Sequence, residues 1–118
     1  MNTQYEDAPR FLIVRVSGAY ALKQLLAVLE RTGATARSRG ARRILLDLSA
    51  VTGAPRDLDR YDLGKEAASL LSHIERLGVV RRADLQYTSF AFDVAQNRGL
   101  NARGFIDSKE AEAWLTSA

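Results

Sequence analysis

Short runs of large apolar residues alternate along the chain with longer stretches in which apolar residues recur every three or four positions. In the clearest run, Ile44–Leu48, four of the five residues are isoleucine or leucine; arginines precede it and Gly53 follows soon after. A short apolar run bounded in this way is typical of a strand buried on both faces, as in the middle of a parallel sheet. We therefore predict that Ile44–Leu48 is the central strand.

The same patterns predict the other elements. Alternation by two indicates a strand and spacing by three or four an amphipathic helix. In strand 11–16, Leu12, Val14 and Val16 are all apolar while the opposite set contains Arg15, so we expect the sheet to be thoroughly covered on one face only. The predicted elements, in order, are strand 3–6, strand 11–16, helix 20–38, strand 44–48, a helix from Asp57 to about 72–75, strand 77–81, helix 88–98, strand 102–107 and a closing helix capped by Asp107.

This order, β-β-α-β-α-β-α-β-α, predicts a single α/β domain over residues 1–118. Repeated right-handed crossovers give a mostly parallel sheet, and the first hairpin adds one antiparallel edge strand at the N-terminus. Gly33, inside the first helix, is expected to mark close packing of that helix on a strand. Gly64 falls on the core face of the second helix.

Composition excludes several classes of function. The chain has no cysteine, which removes thiol catalysis and thiolate metal sites, and it has no apolar run near the ~20 residues of a membrane span. Its first residues are polar and acidic, so we expect a cytoplasmic protein. The net charge is +3, but the arginines are interleaved with glycine, alanine and serine and lack aromatic neighbours, so nucleic acid is disfavoured as a partner.

The sequence offers little catalytic chemistry. His73 is the only histidine and is expected near a helix end, where its charge would favour the helix dipole. Asp57, Asp59 and Asp62 are interpreted as charges of a helix start, and Asp47 is expected to pair with Arg15 on a neighbouring strand. We therefore predict no metal site, no cofactor and no enzymatic activity.

Two surfaces are candidate binding sites. The first is the crevice at the carboxyl ends of the strands, where a helix start favours anions and glycine lets the backbone approach closely. Its predicted residues are Gly18, Ser49, Thr52, Gly53 and Arg56, and an ordinary loop capped by its own aspartates is the equal alternative.

The second candidate is an aromatic surface on the third helix. The helical wheel places Phe92 well away from the apolar face, and it would share this surface with Tyr87. An isolated exposed aromatic residue with no partner is the alternative interpretation.

Several motifs together resemble the SpoIIAA-like (STAS-like) family of small bacterial proteins. The resemblance runs from about Tyr5 to Leu115 and is carried by five runs: Gly18-Ala19-Tyr20, Arg42–Gly53, Asp59–Gly64, Val94–Gly99 and Glu110–Leu115. It implies a right-handed βα superhelix with helices mainly on one face of the sheet.

The better-known members of that family antagonise anti-sigma factors and are switched by phosphorylation of a serine in an Asp-Ser-Ser-Gly-type turn. The corresponding turn here, Val51–Asp57, contains no serine, and its only hydroxyl is Thr52. The resemblance therefore implies a divergent branch, largely without assigned function, in which some relatives are likened to lipid-binding domains.

The resulting prediction is a non-catalytic binding or regulatory module that recognises a protein partner or a small apolar or anionic ligand, lipid included. The alternatives are an anti-sigma-factor antagonist and, less favoured, an enzyme. The sequence does not determine the oligomeric state, and a homodimer is one of the possibilities.

Overall fold

A computed structural model of the chain describes residues 1–84 and 89–118. Within these ranges the elements are β1 Asn2–Asp7, β2 Leu12–Ala19, α1 Leu22–Arg39, β3 Arg43–Thr52, α2 Asp57–Leu70, β4 Arg76–Val80, α3 Phe90–Asn97, β5 Ala102–Phe105 and α4 Ser108–Thr116. The predicted order of elements is confirmed. None of the described helices is long and apolar enough to cross a membrane.

The five strands form one sheet in the order β1-β2-β3-β4-β5. β1 pairs antiparallel with β2, and every later pairing is parallel. In the middle of the sheet, Leu46 of β3 lies between Val14 of β2 and Val79 of β4. The central position of the Ile44–Leu48 run and the single antiparallel edge strand are both confirmed.

The helices cover the two faces of the sheet unequally, as predicted. α1, α2 and α3 pack on the face that carries Leu12, Val14 and Val16, and together they form the larger core cluster. α4 packs on the reverse face, where Ala111 and Leu115 join the second cluster; its strand residues are Phe11, Ile13, Leu45 and Val80.

Arginines from the strands hold α4 on the reverse face. Arg43 donates to the carbonyl oxygen of Leu115 at 2.6 Å, and Arg76 donates to that of Trp114 at 2.6 Å. The Arg76 guanidinium also lies over the Trp114 ring, 5.5 Å from its centroid. Cations at the carboxyl end of a helix bind its unpaired carbonyl groups and favour its dipole. Part of the positive charge of the chain therefore has a structural role.

Several element bounds and one packing contact differ from the sequence predictions; β2, for example, continues to Ala19 and β5 ends at Phe105. α2 ends at Leu70, before the predicted 72–75, and β3 continues to Thr52 because its last residues pair with β2. Gly33 packs against a helix and not a strand: a Cβ added there would lie 2.7 Å from the carbonyl oxygen of Leu70. Gly33 therefore lets α1 and α2 approach each other.

Candidate functional site

The predicted crevice residues lie at the carboxyl edge of the sheet, but much of the backbone there is already hydrogen-bonded. β2 and β3 remain paired to their ends, and the amide of Tyr20 donates to the carbonyl oxygen of Thr52 at 2.8 Å. Gly18 and Gly53 have φ angles of 107° and 82°, which favour glycine. The strand ends therefore form a paired ribbon and not an open amide cradle.

The side chains predicted for this crevice do not converge. The Ser49 hydroxyl donates to Oδ1 of Asp47 at 2.6 Å, and the Ser49 amide donates to the same atom at 2.9 Å. The side chain of Arg56 is 86% exposed, with Nη2 lying 4.0 Å from Oδ1 of Asp59. Of the five predicted residues, only Gly53 lines the cavity described next.

An apolar cavity of about 170 Å³, partly open to solvent, lies between the sheet and α1, α2 and α3. We call it the α2–α3 cavity. Its apolar side chains belong to Leu25, Leu29, Leu46, Leu48, Val51, Pro55, Leu63, Ala67, Leu77, Val79, Ala91, Phe92, Ala95 and Ala102.

Small residues on α2 and α3 create this space. Gly64 and Ala67 of α2 lie opposite Ala91 and Ala95 of α3, so the helices approach closely without filling the volume above the strands. A Cβ added at Gly64 would clash with the carbonyl oxygen of Ala91 and lie 2.9 Å from Cβ of Val94. The helices therefore cannot move closer, and the leucines and valines of the sheet face a void. In the sequence, the only sign of this cavity is the set of small residues on the core faces of α2 and α3.

The polar residues of the lining are grouped at the carboxyl edge of the sheet. Tyr20 follows β2, Gly53 follows β3, Arg81 and Arg82 follow β4, and Arg60 lies in the second turn of α2. The deeper lining is aliphatic and aromatic. The α2–α3 cavity is therefore amphipathic, with a polar end at the strand termini.

Two arginines of the polar end are mostly buried and hydrogen-bonded. The side chain of Arg60 is 20% exposed and donates through Nη1 to Asp57 at 3.2 Å. The side chain of Arg82 is 24% exposed; it donates to the carbonyl oxygen of Val51 at 2.9 Å and to both carboxylate oxygens of Asp84. The hydrogen bonds between Arg82 and Asp84 raise the pKa of the Arg82 guanidinium and lower the pKa of the Asp84 carboxyl.

A hydrogen bond between Tyr20 and Asp59 links the end of β2 to the first turn of α2. The Tyr20 hydroxyl donates to Oδ2 of Asp59 at 3.2 Å, and the Arg56 amide donates to the same oxygen at 3.4 Å. Asp59 is only 7% exposed. Burial, and then the charge of Asp59, raises the pKa of Tyr20 to about 12. The Tyr20 phenol is therefore neutral at physiological pH.

The remaining candidate chemistry is dispersed. Nη2 of Arg37 lies 3.2 Å from Nδ1 of His73, near the carboxyl end of α2. Asp47 and Arg15 are neighbours in the β2–β3 register, but Arg15 forms its ion pair with Glu6 at 3.4 Å and Asp47 binds Ser49. The expected Asp47–Arg15 pair is therefore wrong. Over residues 1–84 and 89–118, no group of three or more histidine, aspartate or glutamate residues could coordinate a metal ion.

Phe92 is half-buried and not exposed as the helical wheel predicted. It packs against the larger core cluster, lines the α2–α3 cavity and lies so close to β5 that a Cβ at Gly104 would be 2.8 Å from its ring. The helical-wheel prediction assumed that α3 has a single buried face. In the structure α3 contacts α2 on one side and β5 on another, and Phe92 lies on the β5 side. Tyr87, the other residue of the predicted aromatic surface, lies outside the described residues.

Comparison with known proteins identifies the fold. No protein-family model and no curated protein matched the chain. A solved structure of an anti-sigma factor antagonist from Mycobacterium paratuberculosis is similar with a TM-score of 0.65 and 18% identity, over 98% of this chain and 94% of that one. An uncharacterised DUF3478-family protein with a SpoIIAA-like fold from Shewanella loihica is similar with a TM-score of 0.54 and 20% identity, over 97% and 92%. This chain therefore has the SpoIIAA-like fold that its motifs predicted.

Proposed function

We propose that this protein is a non-catalytic binding module whose ligand site is the α2–α3 cavity. The observation that carries the proposal is the combination of an apolar cavity of about 170 Å³ with a polar end at the carboxyl edge of the sheet. Open α/β sheets commonly bind their ligands at this edge, and apolar pockets with a few convergent polar groups are the usual form of small-molecule sites.

The lining favours binding over catalysis. Its described side chains include three arginines and one tyrosine but no carboxylate, histidine, serine or threonine. Acid–base and nucleophilic mechanisms need a group that titrates near neutral pH or an activated hydroxyl or thiol. With a pKa of about 12, the Tyr20 phenol is a poor base at pH 7. These residues can hold and orient a ligand, and they supply no pair that would transform it.

A second candidate function is signalling through a protein partner. The mycobacterial neighbour is called an anti-sigma factor antagonist, and the start of α2 exposes Leu58 to 77% with Tyr61 one turn later. Exposed large apolar residues favour a partner surface. α2 also supplies Leu63, Gly64 and Ala67 to the cavity, so an occupied cavity and a partner on α2 would be coupled through one helix.

The binding proposal is tested by methyl NMR with toluene, a neutral probe of suitable size. We expect the methyl signals of Leu46 and Val79 to shift on titration, and Ala95→Leu, which fills the cavity, to abolish the shift. Ala34→Leu on the exposed face of α1 is the matched control and should behave like the wild type. Shifts that persist in Ala95→Leu, or that map elsewhere, would contradict the proposed site.

The protein-partner candidate is tested by native mass spectrometry of the chain purified from its source cell. A stoichiometric complex that is lost in Leu58→Ser and kept in Ile106→Ser, another exposed apolar residue, would support it. A complex equally stable in both variants would argue against the surface on α2.

A further inference from the structure

We propose that the ligand of the α2–α3 cavity is a small carboxylate with a single ring or a short chain, and that its carboxylate binds Arg60 while its apolar part fills the cavity. This inference rests on the proposed function and adds the chemical class of the ligand. Three observations carry it: the volume of the cavity, the sign of the charges at its polar end, and the separation of that end from the apolar interior.

The volume limits the apolar part of the ligand. A dry apolar cavity of about 150 Å³ in another protein binds benzene. The cavity here is about 170 Å³, so it has room for one six-membered ring or a chain of about six carbons. A long-chain fatty acid would leave most of its chain in water. Of the ligands considered from the sequence, the volume therefore favours a small apolar ligand over a lipid.

The charges at the polar end favour an anion. All the ionisable side chains among the described lining residues are cationic except Tyr20, whose phenol is neutral. Asp57 and Asp84 offset Arg60 and Arg82 in part, but both carboxylate side chains are exposed, whereas most of each arginine side chain is covered by the protein. An exposed ion pair contributes little and is screened by salt. The ionisable groups that line the cavity therefore favour an anion over a cation.

Arg60 is better suited than Arg82 to bind the carboxylate. Arg82 already donates to Val51 and twice to Asp84, so its main role is to hold the strand end and the segment after β4. The Arg60 guanidinium donates one hydrogen bond, to Asp57, and a guanidinium has five N–H donors. Two parallel donors can bind a carboxylate in the bidentate geometry that arginine favours.

The buried carboxylate nearest this end opposes anion binding, but it is already compensated. Asp59 accepts hydrogen bonds from the Tyr20 hydroxyl and the Arg56 amide, and it is not among the residues that line the cavity. Its charge is thus turned toward the start of α2, where the helix dipole favours it. An incoming carboxylate at Arg60 approaches from the cavity side of α2.

The test compares one series of ligands that differ in the head group and one pair that differ in chain length. We would measure dissociation constants by isothermal titration calorimetry for benzoate, benzyl alcohol and benzylamine, and for hexanoate and dodecanoate. In the wild type we expect benzoate to bind at least tenfold more tightly than benzyl alcohol, benzylamine to bind most weakly, and dodecanoate to gain no more than twofold over hexanoate. Arg60→Met, which keeps an apolar stem, should remove the preference for benzoate, whereas Arg31→Met on the exposed face of α1 should retain it.

The outcomes separate this inference from the proposed function. If benzyl alcohol binds as tightly as benzoate, and Ala95→Leu removes both, the cavity is a binding site and the carboxylate assignment is wrong. If Arg60→Met keeps the full preference, Arg60 is not the residue that binds the head group. Much tighter binding of dodecanoate would overturn the size limit. If neither toluene nor any of these ligands binds, the proposed function fails as well.

Discussion

Truncation of Leu46 to alanine tests both the central strand and the cavity. Leu46 is almost fully buried in β3, and its side chain lines the α2–α3 cavity. Removing three carbon atoms costs about 2.4 kcal/mol of unfolding free energy at about 0.8 kcal/mol per methylene. A fully packed leucine costs up to about 5 kcal/mol because its removal also opens a void. Leu46 already faces a void, so we expect a loss of about 2–3 kcal/mol.

Leu12 provides the comparison. It is equally buried and belongs to the same core cluster, but it does not line the cavity, so Leu12→Ala should cost about 4 kcal/mol. Lys23→Ala on the exposed face of α1 should change the stability by no more than about 0.5 kcal/mol. Urea unfolding of the three variants, with similar m-values, measures these differences.

Two results would refute the reasoning. If Leu46→Ala lost no more unfolding free energy than Lys23→Ala, β3 would not be the centre of the sheet. A loss at Leu46 as large as that at Leu12 would mean that its side chain is packed on all sides, so that the cavity is filled in solution.

Three further predictions concern Tyr20, Gly64 and the turn after β3. Tyr20→Phe should destabilise the protein by about 1–3 kcal/mol at pH 7 because Asp59 loses a donor. The pKa of Tyr20 is raised from 10.0 to about 12 on folding, so the wild type should lose more stability than Tyr20→Phe between about pH 10 and 12. Parallel pH profiles of the two proteins in urea unfolding would contradict this. Gly64→Ala should lose about 1–3 kcal/mol through its clash with α3, whereas Gly78→Ala, with its nearest contact at 3.4 Å, should melt closer to the wild type. Incubation with a serine kinase of the anti-sigma type should leave the intact mass unchanged, since the turn after β3 contains no serine; stoichiometric phosphate on Ser49 or Thr52 would favour the signalling alternative.

The sequence predicted the architecture because that information is local. The Ile44–Leu48 run identified the central strand, and the alternation in strand 11–16 anticipated both the covered face and the less covered one. Element ends were less predictable: β3 extends to Thr52 because β2 continues beside it, which is a pairing between distant segments. Gly33 was recognised as a close contact, but its partner, Leu70, depends on how α2 crosses α1.

The candidate site was less predictable, since a cavity is volume that no side chain fills. Each small residue around it, such as Ala67, Ala95 or Ala102, is unremarkable in its own segment. The cavity forms only because the fold brings these small residues together above β3 and β4. The same limit explains Phe92, whose burial requires β5 to lie beside α3. The crevice prediction chose the edge of the sheet at which the polar end of the α2–α3 cavity lies, but it selected loop residues whose backbone is hydrogen-bonded within the β2–β3 ribbon.

The energetic cost of the cavity is itself an argument for a ligand. At about 24 cal/mol per Å³, an enclosed and unfilled volume of about 170 Å³ would forgo about 4 kcal/mol of packing, which is an upper limit here because the cavity is partly open to solvent; typical unfolding free energies are only about 5–15 kcal/mol. A single substitution such as Ala95→Val adds two methyl groups toward this space and is expected to raise the free energy of unfolding by about 1 kcal/mol. Stabilisation together with lost toluene binding would mean that packing is sacrificed for a site. Destabilisation by Ala95→Val would mean instead that the surrounding side chains already occupy the space, and the argument from cost would fail.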